Sequence, residues 1–194
     1  MDNMDINKHI ASRLLALREA QQLSLTALAE RSGVSRSNIS LIERGESSAT
    51  ATVLDKLAGA LGVTLGSLFE ADSAEQAAPS PLSTAATQAV WKDPASGYVR
   101  RQLSPAARSP MQLVEVIFPP GQRVTYDQVR RENDVYQQVW LLEGEIEVSL
   151  GEQSWRLKPG DCLAMREDQP ISYANPGRKP ARYLVALAIL PFSA

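Results

Sequence analysis

The stretch LSLTALAERSGVSRSNISLIERGESSATATVLDKLAGALGVTLGSLF, Leu23–Phe69, decides the reading of the chain. Leu25 to Arg31 spaces its apolar residues as a short helix does, and Gly33 permits the tight bend that follows. Ser35 then caps a second helix, Arg36 to Ile42, because its hydroxyl accepts a hydrogen bond from a free first-turn amide. Ser24 stands the same way before the first helix. Leu28, Ala29, Val34, Ile39 and Ile42 are expected to form a small core that fixes the angle between the two helices. Ala29 is small enough to let the helices approach closely. Arg36, Ser37, Asn38 and Ser40 remain on the outer face of the second helix. They are short or forked hydrogen-bonding side chains, suited to base edges and phosphates in a major groove.

Upstream, Ile10, Leu14, Leu17 and Ala20 form another helical stripe; downstream, Val53, Leu54, Leu57, Ala58 and Leu61 form a third. Gly45 and Gly62 sit where helices should stop. Residues 1–70 therefore read as one helical domain. The formal net charge of the chain is -2, which excludes a polycation. Contact with nucleic acid must come from a local basic surface, for which Arg13, Arg18, Arg36, Arg44 and Lys56 are the candidates.

Residues 71–90 are rich in Ala, Ser, Thr and Pro and carry few large apolar groups, so they read as a linker, with a short surface helix over Ala74 to Ala78 as the alternative. From Trp91 onward the pattern is that of strands: Met111–Phe118, Val135–Leu142, Glu145–Leu150 and Arg182–Leu190, the last with enough alanine to keep helix open. Turn signals at Pro119 to Gly121, Glu143 and Gly144, Pro159 and Gly160, and Asn175 to Gly177 separate them, as in a sandwich or barrel. Cys162 is the only cysteine, which excludes an intramolecular disulfide and a multi-cysteine zinc site; a buried thiol in a strand is expected. Trp140 and Trp155 are read as packing between sheets or across a dimer interface, and Trp91 as fastening the linker to the barrel. The N-terminus has no secretory pattern, and the apolar run Tyr183 to Phe192 is too short to span a bilayer as a helix, so a cytoplasmic address and no membrane partner are expected.

Gly33-Val34-Ser35 and Ile39-Ser40-Leu41-Ile42-Glu43-Arg44-Gly45 resemble the XRE family, the phage-repressor type of helix-turn-helix, over about residues 7 to 70. That resemblance implies a five-helix, lambda-repressor-like domain whose third helix enters the major groove of double-stranded DNA. DNA-contacting positions are then Ser24, Thr26, Ser35, Arg36, Ser37, Asn38, Ser40 and Arg44. Many relatives open the second helix with Gln; here that position is Leu25, and Ser24 or Thr26 is left to take the phosphate contact. One such domain makes few base contacts, so a homodimer on an inverted-repeat operator is expected, its recognition helices about 34 Å apart. Repression is the default role.

Pro119 to Gly121, Val139 to Gly151, Leu157 to Asp161 and Gln169 to Asn175 resemble a cupin, a double-stranded β-helix barrel, over residues 91–194. The whole chain is thus expected to be α+β with two domains, and XRE domains fused to a cupin form a recognisable regulator group. Metal-binding cupins use histidines and a carboxylate. Here Gln137 stands at the carboxylate position and Ile171 at the last histidine position, and the only histidine of the chain is His9, in the other domain. No metal, no cofactor and no enzyme activity are therefore expected. Tyr126, Asp127, Arg130, Gln137, Val139, Ile171 and Tyr173 are the candidate contacts for a small polar effector, with Arg131 near the same mouth. Two alternatives stand beside this: a barrel that only dimerises, and a metal-dependent cupin enzyme fused to a DNA-binding domain.

Overall fold

A computed structural model describes residues 3–69, 80–107, 109–127 and 133–191. The alternative helix at Ala74 to Ala78 and the candidates Arg130 and Arg131 lie outside the described residues.

Four α-helices come first: α1 (Asn3–Ala20), α2 (Leu25–Ser32), α3 (Arg36–Glu43) and α4 (Ala51–Ala60). In place of the expected fifth α-helix there is a single turn of 3-10 helix, Leu65–Phe69. Capping follows side-chain chemistry. The hydroxyls of Ser24, Ser35 and Thr50 accept from the backbone N–H groups of Ala27, Asn38 and Val53. Gly33 closes α2 at φ 69°, a left-handed conformation in which its N–H reaches Ala29 O. Leu28, Val34, Ile39 and Ile42 are buried as expected, with Ile6, Ile10 and Leu14 of α1 and Leu54, Leu57 and Leu61 closing the same core; Ala29 packs half-buried against it. Ala20 is exposed, because the helix has reached its last turn there and runs out past the core.

Ten strands follow: β1 (Val90–Lys92), β2 (Val99–Gln102), β3 (Met111–Phe118), β4 (Arg123–Tyr126), β5 (Asn133–Glu143), β6 (Ile146–Leu150), β7 (Gln153–Leu157), β8 (Cys162–Arg166), β9 (Ile171–Ala174) and β10 (Ala181–Pro191). They form a six-stranded sheet ordered β1-β2-β3-β10-β5-β8 and a four-stranded sheet ordered β4-β9-β6-β7. Every pairing in both is antiparallel. Arg182–Leu190 is strand and not helix: β10 is central, hydrogen-bonded to both β3 and β5, and the alternation Ala181, Tyr183, Val185, Leu187 is buried. Cys162 is exposed, contrary to expectation. It lies on the edge strand β8, opposite Trp140 in register, on the outer face of the sheet. Trp140 also faces outward and keeps 48% of its surface, so within one chain it does not pack between sheets. Trp155 is half-buried against the core.

The helical domain sits on the barrel through α1 against β1 and α4 against β4. Trp91, 1% exposed, is the pin of that junction. Its ring meets Phe69 edge-on at 5.7 Å and Tyr98 at 5.8 Å. It therefore fastens the barrel to the helices and not merely to a linker. Asp93 adds a polar clamp: its buried carboxylate accepts from Ala51 N, the first N–H of α4, at 2.9 Å, and from the N–H and hydroxyl of Ser96 at 2.8 and 2.5 Å.

Candidate nucleic-acid interface and barrel cavity

The outward side of α3 carries Arg36 and Ser37, both exposed, with Asn38 and Ser40 half-exposed beside them. Ile39 and Ile42 face inward, so the 3.6-residue period of the helix sorts the two sides. Leu41, 38% exposed, stands on the outer side as well. Sequence reasoning passed over it as one more apolar residue; a methyl-bearing side chain there suits contact with a thymine methyl group. Ser35 sits exposed at the start of the helix with its hydroxyl engaged by Asn38 N at 3.3 Å and within 3.3 Å of Ser37 Oγ. Ser24 is likewise engaged, by Ala27 N, while Thr26 is exposed in the first turn of α2. Leu25 is half-buried against the core, so this chain spends on packing the position that relatives give to Gln.

The basic candidates do not share one face. Arg18 lies against α3 from within, bonding Glu43 at 2.7 and 2.9 Å and Leu23 O at 2.8 Å. Arg13 reaches Ser67 O at 3.4 Å, and Lys56 reaches Asp127 across the domain junction at 3.0 Å. Arg36 and Arg44 remain on the α3 side. Arg44 bonds Glu46 through two 2.8 Å contacts and also meets Ser40 Oγ; the hydrogen bond holds the Glu46 carboxyl below its ordinary range. That pair is exposed, so a phosphate can exchange with it at little cost.

The second feature is a cavity of about 90 Å³ inside the barrel. At roughly 10–15 Å³ for each water, it has room for roughly six to nine water-sized groups. Of the sequence candidates, Tyr126, Asp127, Gln137, Ile171 and Tyr173 line it. Val139 does not: it is fully buried in the core on the same face of β5, too deep to reach the cavity. Gln137 and Tyr173 are joined, the phenol donating to Gln137 Oε1 at 2.8 Å. The hydroxyls of Tyr98 and Tyr126 are 3.0 Å apart. Burial pushes Tyr98 up to about 12 and Tyr126, Tyr173 and Tyr183 well above the ordinary phenol value, so all four are neutral hydrogen-bonding groups.

Several lining residues escaped the sequence reading. Arg100 comes from β2, a strand too short and too charged to read as barrel wall, and Tyr98 is the residue just before that strand. Asp55, Thr64, Leu65 and Gly66 come from the helical domain, which covers the mouth of the barrel. No local pattern could have shown that, because it depends on how the two domains meet.

Comparison with known proteins gives a helix-turn-helix family model matched over residues 14–68 and a cupin domain model matched over residues 114–187. The chain is an XRE-type helix-turn-helix protein with a cupin domain. Among solved structures, this helix-turn-helix cupin chain is similar to an HTH_3 family transcriptional regulator from Vibrio cholerae, at 26% identity and a TM-score of 0.75, covering 96% of this chain and 98% of that one. Weaker likeness is found to the cupin domain of an XRE family transcriptional regulator from Enterobacter cloacae, at 19% identity, 50% and 98% coverage and a TM-score of 0.43. Hydroxypropylphosphonic acid epoxidase from S. wedmorenis matches at 20% identity, 94% and 97% coverage and a TM-score of 0.45. Curated proteins returned no match. The Gly33 bend and the Ser35 cap place α3 as the third helix of the XRE-type domain. Among the described residues, no group of three or more His, Cys, Asp or Glu side chains is arranged to hold a metal ion, and no helix is long and apolar enough to cross a membrane.

Proposed function

We propose that this protein is a homodimeric, cytoplasmic transcription repressor that reads an inverted-repeat operator in double-stranded DNA and answers to a small effector held in its cupin barrel without metal. The observation that carries the DNA half is the outward side of α3. Arg36, Ser37, Asn38, Ser40 and Leu41 form a mixed hydrogen-bonding and methyl surface on a helix whose other side is locked in the core. Ser24, Thr26, Ser35 and Arg44 flank it and are assigned to phosphate and helix positioning.

A second copy is supported by the outer face of the six-stranded sheet. Met111, Leu113, Ile117, Tyr136, Trp140 and Leu190 are all exposed there, at 39–54%. Large apolar side chains gathered on one sheet face mark an association surface. A dimer also doubles the few base contacts that one domain makes. The effector half rests on the cavity shared by Tyr126, Gln137, Ile171 and Tyr173. An amide at Gln137 and an alkyl group at Ile171 are poor ligands for a transition metal, so the fused-enzyme reading has no donor set in these residues.

The test is a gel-shift series at controlled salt on duplexes selected from genomic fragments. Asn38→Ala and Ser37→Ala should relax preference at one operator position, by about 1–3 kcal/mol for a lost base contact. Arg36→Ala should weaken binding to all duplexes and reduce the salt slope by about one. Unchanged binding in all three variants removes the assignment.

A further inference from the structure

We propose that the barrel cavity takes a small organic acid whose carboxylate pairs with Arg100, and that the helical domain, as the lid of that cavity, senses the acid directly. This rests on the reading above that the barrel holds an effector, and it names the effector's class and the route of its signal.

Arg100 is a charged side chain, 8% exposed, pointing into the barrel. Among the described residues it forms no ion pair. Its Nη2 lies 3.5 Å from Gln102 Oε1, its guanidinium carbon sits 5.2 Å from the centre of the Phe69 ring, and its Nε has no hydrogen-bond partner. A guanidinium taken out of water without a counter-charge is costly, and a carboxylate arriving beside it meets a planar, two-pronged donor. Of the carboxylates that also line the cavity, Asp127 is held by Lys56 at 3.0 Å.

Neutral donors surround the same space. The Tyr98 and Tyr126 hydroxyls share one hydrogen bond, which leaves one of their two protons for a ligand oxygen. Tyr173 uses its proton on Gln137 Oε1, leaving the amide protons of Gln137 as donors. Val116, Phe118 and Ile171 supply an apolar wall for the body of the acid.

Arg100 also touches the lid. A Cβ placed on Gly66 would meet the Gln112 amide oxygen first and then Arg100 Nη2 at 3.3 Å, so the 3-10 helix passes close against both the Gln112 amide and the guanidinium. Phe69, at the end of the same turn, lies under it. An acid that draws Arg100 toward the cavity centre changes its contacts with both, and α4, joined to the 3-10 helix and to α2, carries the change to the DNA-binding face. The acid must favour one arrangement of the lid over another for this to act.

The experiment is calorimetry on the full chain with amino acids and straight-chain C3–C6 mono- and dicarboxylic acids, each run beside its primary amide, together with putrescine as a cationic control. At least one acid is expected to bind, with its amide at least about 30-fold weaker. In Arg100→Gln the acid should bind at least about 30-fold weaker, and Arg100→Lys should recover part of the loss. The acid-to-amide ratio uses wild-type protein, so the proposal stays testable if Arg100→Gln fails to fold. By linkage, the factor by which the acid changes operator affinity must equal the factor by which operator changes acid affinity. Binding of putrescine, or of acid and amide alike, leaves an effector in the barrel and overturns the carboxylate assignment. Acid binding with no change in operator affinity overturns the lid. Absence of heat with every compound overturns this proposal together with the effector reading.

Discussion

Replacing Asp93 by Ala removes a carboxylate that ties a barrel loop to the start of α4. In the native chain Asp93 is 1% exposed and accepts three hydrogen bonds, from Ala51 N at 2.9 Å, Ser96 N at 2.8 Å and Ser96 Oγ at 2.5 Å. The two backbone N–H groups have fixed directions, and each stranded donor costs about 1–3 kcal/mol. The serine hydroxyl can rotate, so it adds less. The sum is about 2–6 kcal/mol, placed at the boundary between domains. Urea denaturation reads the total, and hydrogen exchange at the Ala51 amide reads the location. Asp93→Asn keeps one acceptor oxygen and should lose about half as much. A loss under about 1 kcal/mol for Asp93→Ala, with exchange at Ala51 unchanged, would show that the clamp has no energetic weight.

Gly144 turns β5 into β6 at φ 78°, and a Cβ there would lie 2.7 Å from Pro180 O and 2.9 Å from Ala181 Cα. Gly144→Ala should therefore cost about 2–5 kcal/mol, from left-handed strain and overpacking against rigid backbone, read as a lower urea midpoint. Tyr98, Tyr126, Tyr173 and Tyr183 have folded values raised above that of an unfolded phenol, near pH 10. Below pH 10 both states keep these protons and no slope arises; above it the unfolded chain loses them first, so stability falls as pH rises toward about 12, the value of Tyr98. Absorbance at 295 nm should show these phenols ionising together with unfolding and not before it. If the proposed homodimer forms through the outer sheet face, Trp140→Glu should give monomer by light scattering with the fold intact by circular dichroism; a dimer that persists moves the interface elsewhere.

What the sequence disclosed and what it hid divide along one physical line. Caps, bends and the period of α2 and α3 are local: Ser24, Ser35 and Gly33 announce themselves by side-chain chemistry and by the absence of one. The strand run Met111–Phe118 was legible from its Val, Ile and Phe content and not from alternation, because Met111, Leu113 and Ile117 put apolar side chains on the outer face as well. Cys162 reads as interior because sequence alone does not show which residues occupy an edge strand, and for the same reason it leaves Trp140 open between a place between the sheets and a place at a dimer interface, of which the outer face removes the first. Val139 was placed in the cavity by alternation, which gives the face of a strand but not the depth along it. Arg100 was missed because its role depends on Phe69 and Gly66, more than 30 residues earlier in the chain and in another domain. The basic candidates scattered for the same reason: Arg18 had a partner in Glu43, and Lys56 one in Asp127, that spacing does not reveal.

The central claim is that the outer side of α3 reads bases. Fluorescence anisotropy of the full chain on one selected duplex, competed with random duplex at moderate ionic strength, tests it most directly. The account predicts specific binding at least about 1,000-fold tighter than non-specific binding, with the ratio reduced by Asn38→Ala. Equal displacement by specific and random competitor would contradict it.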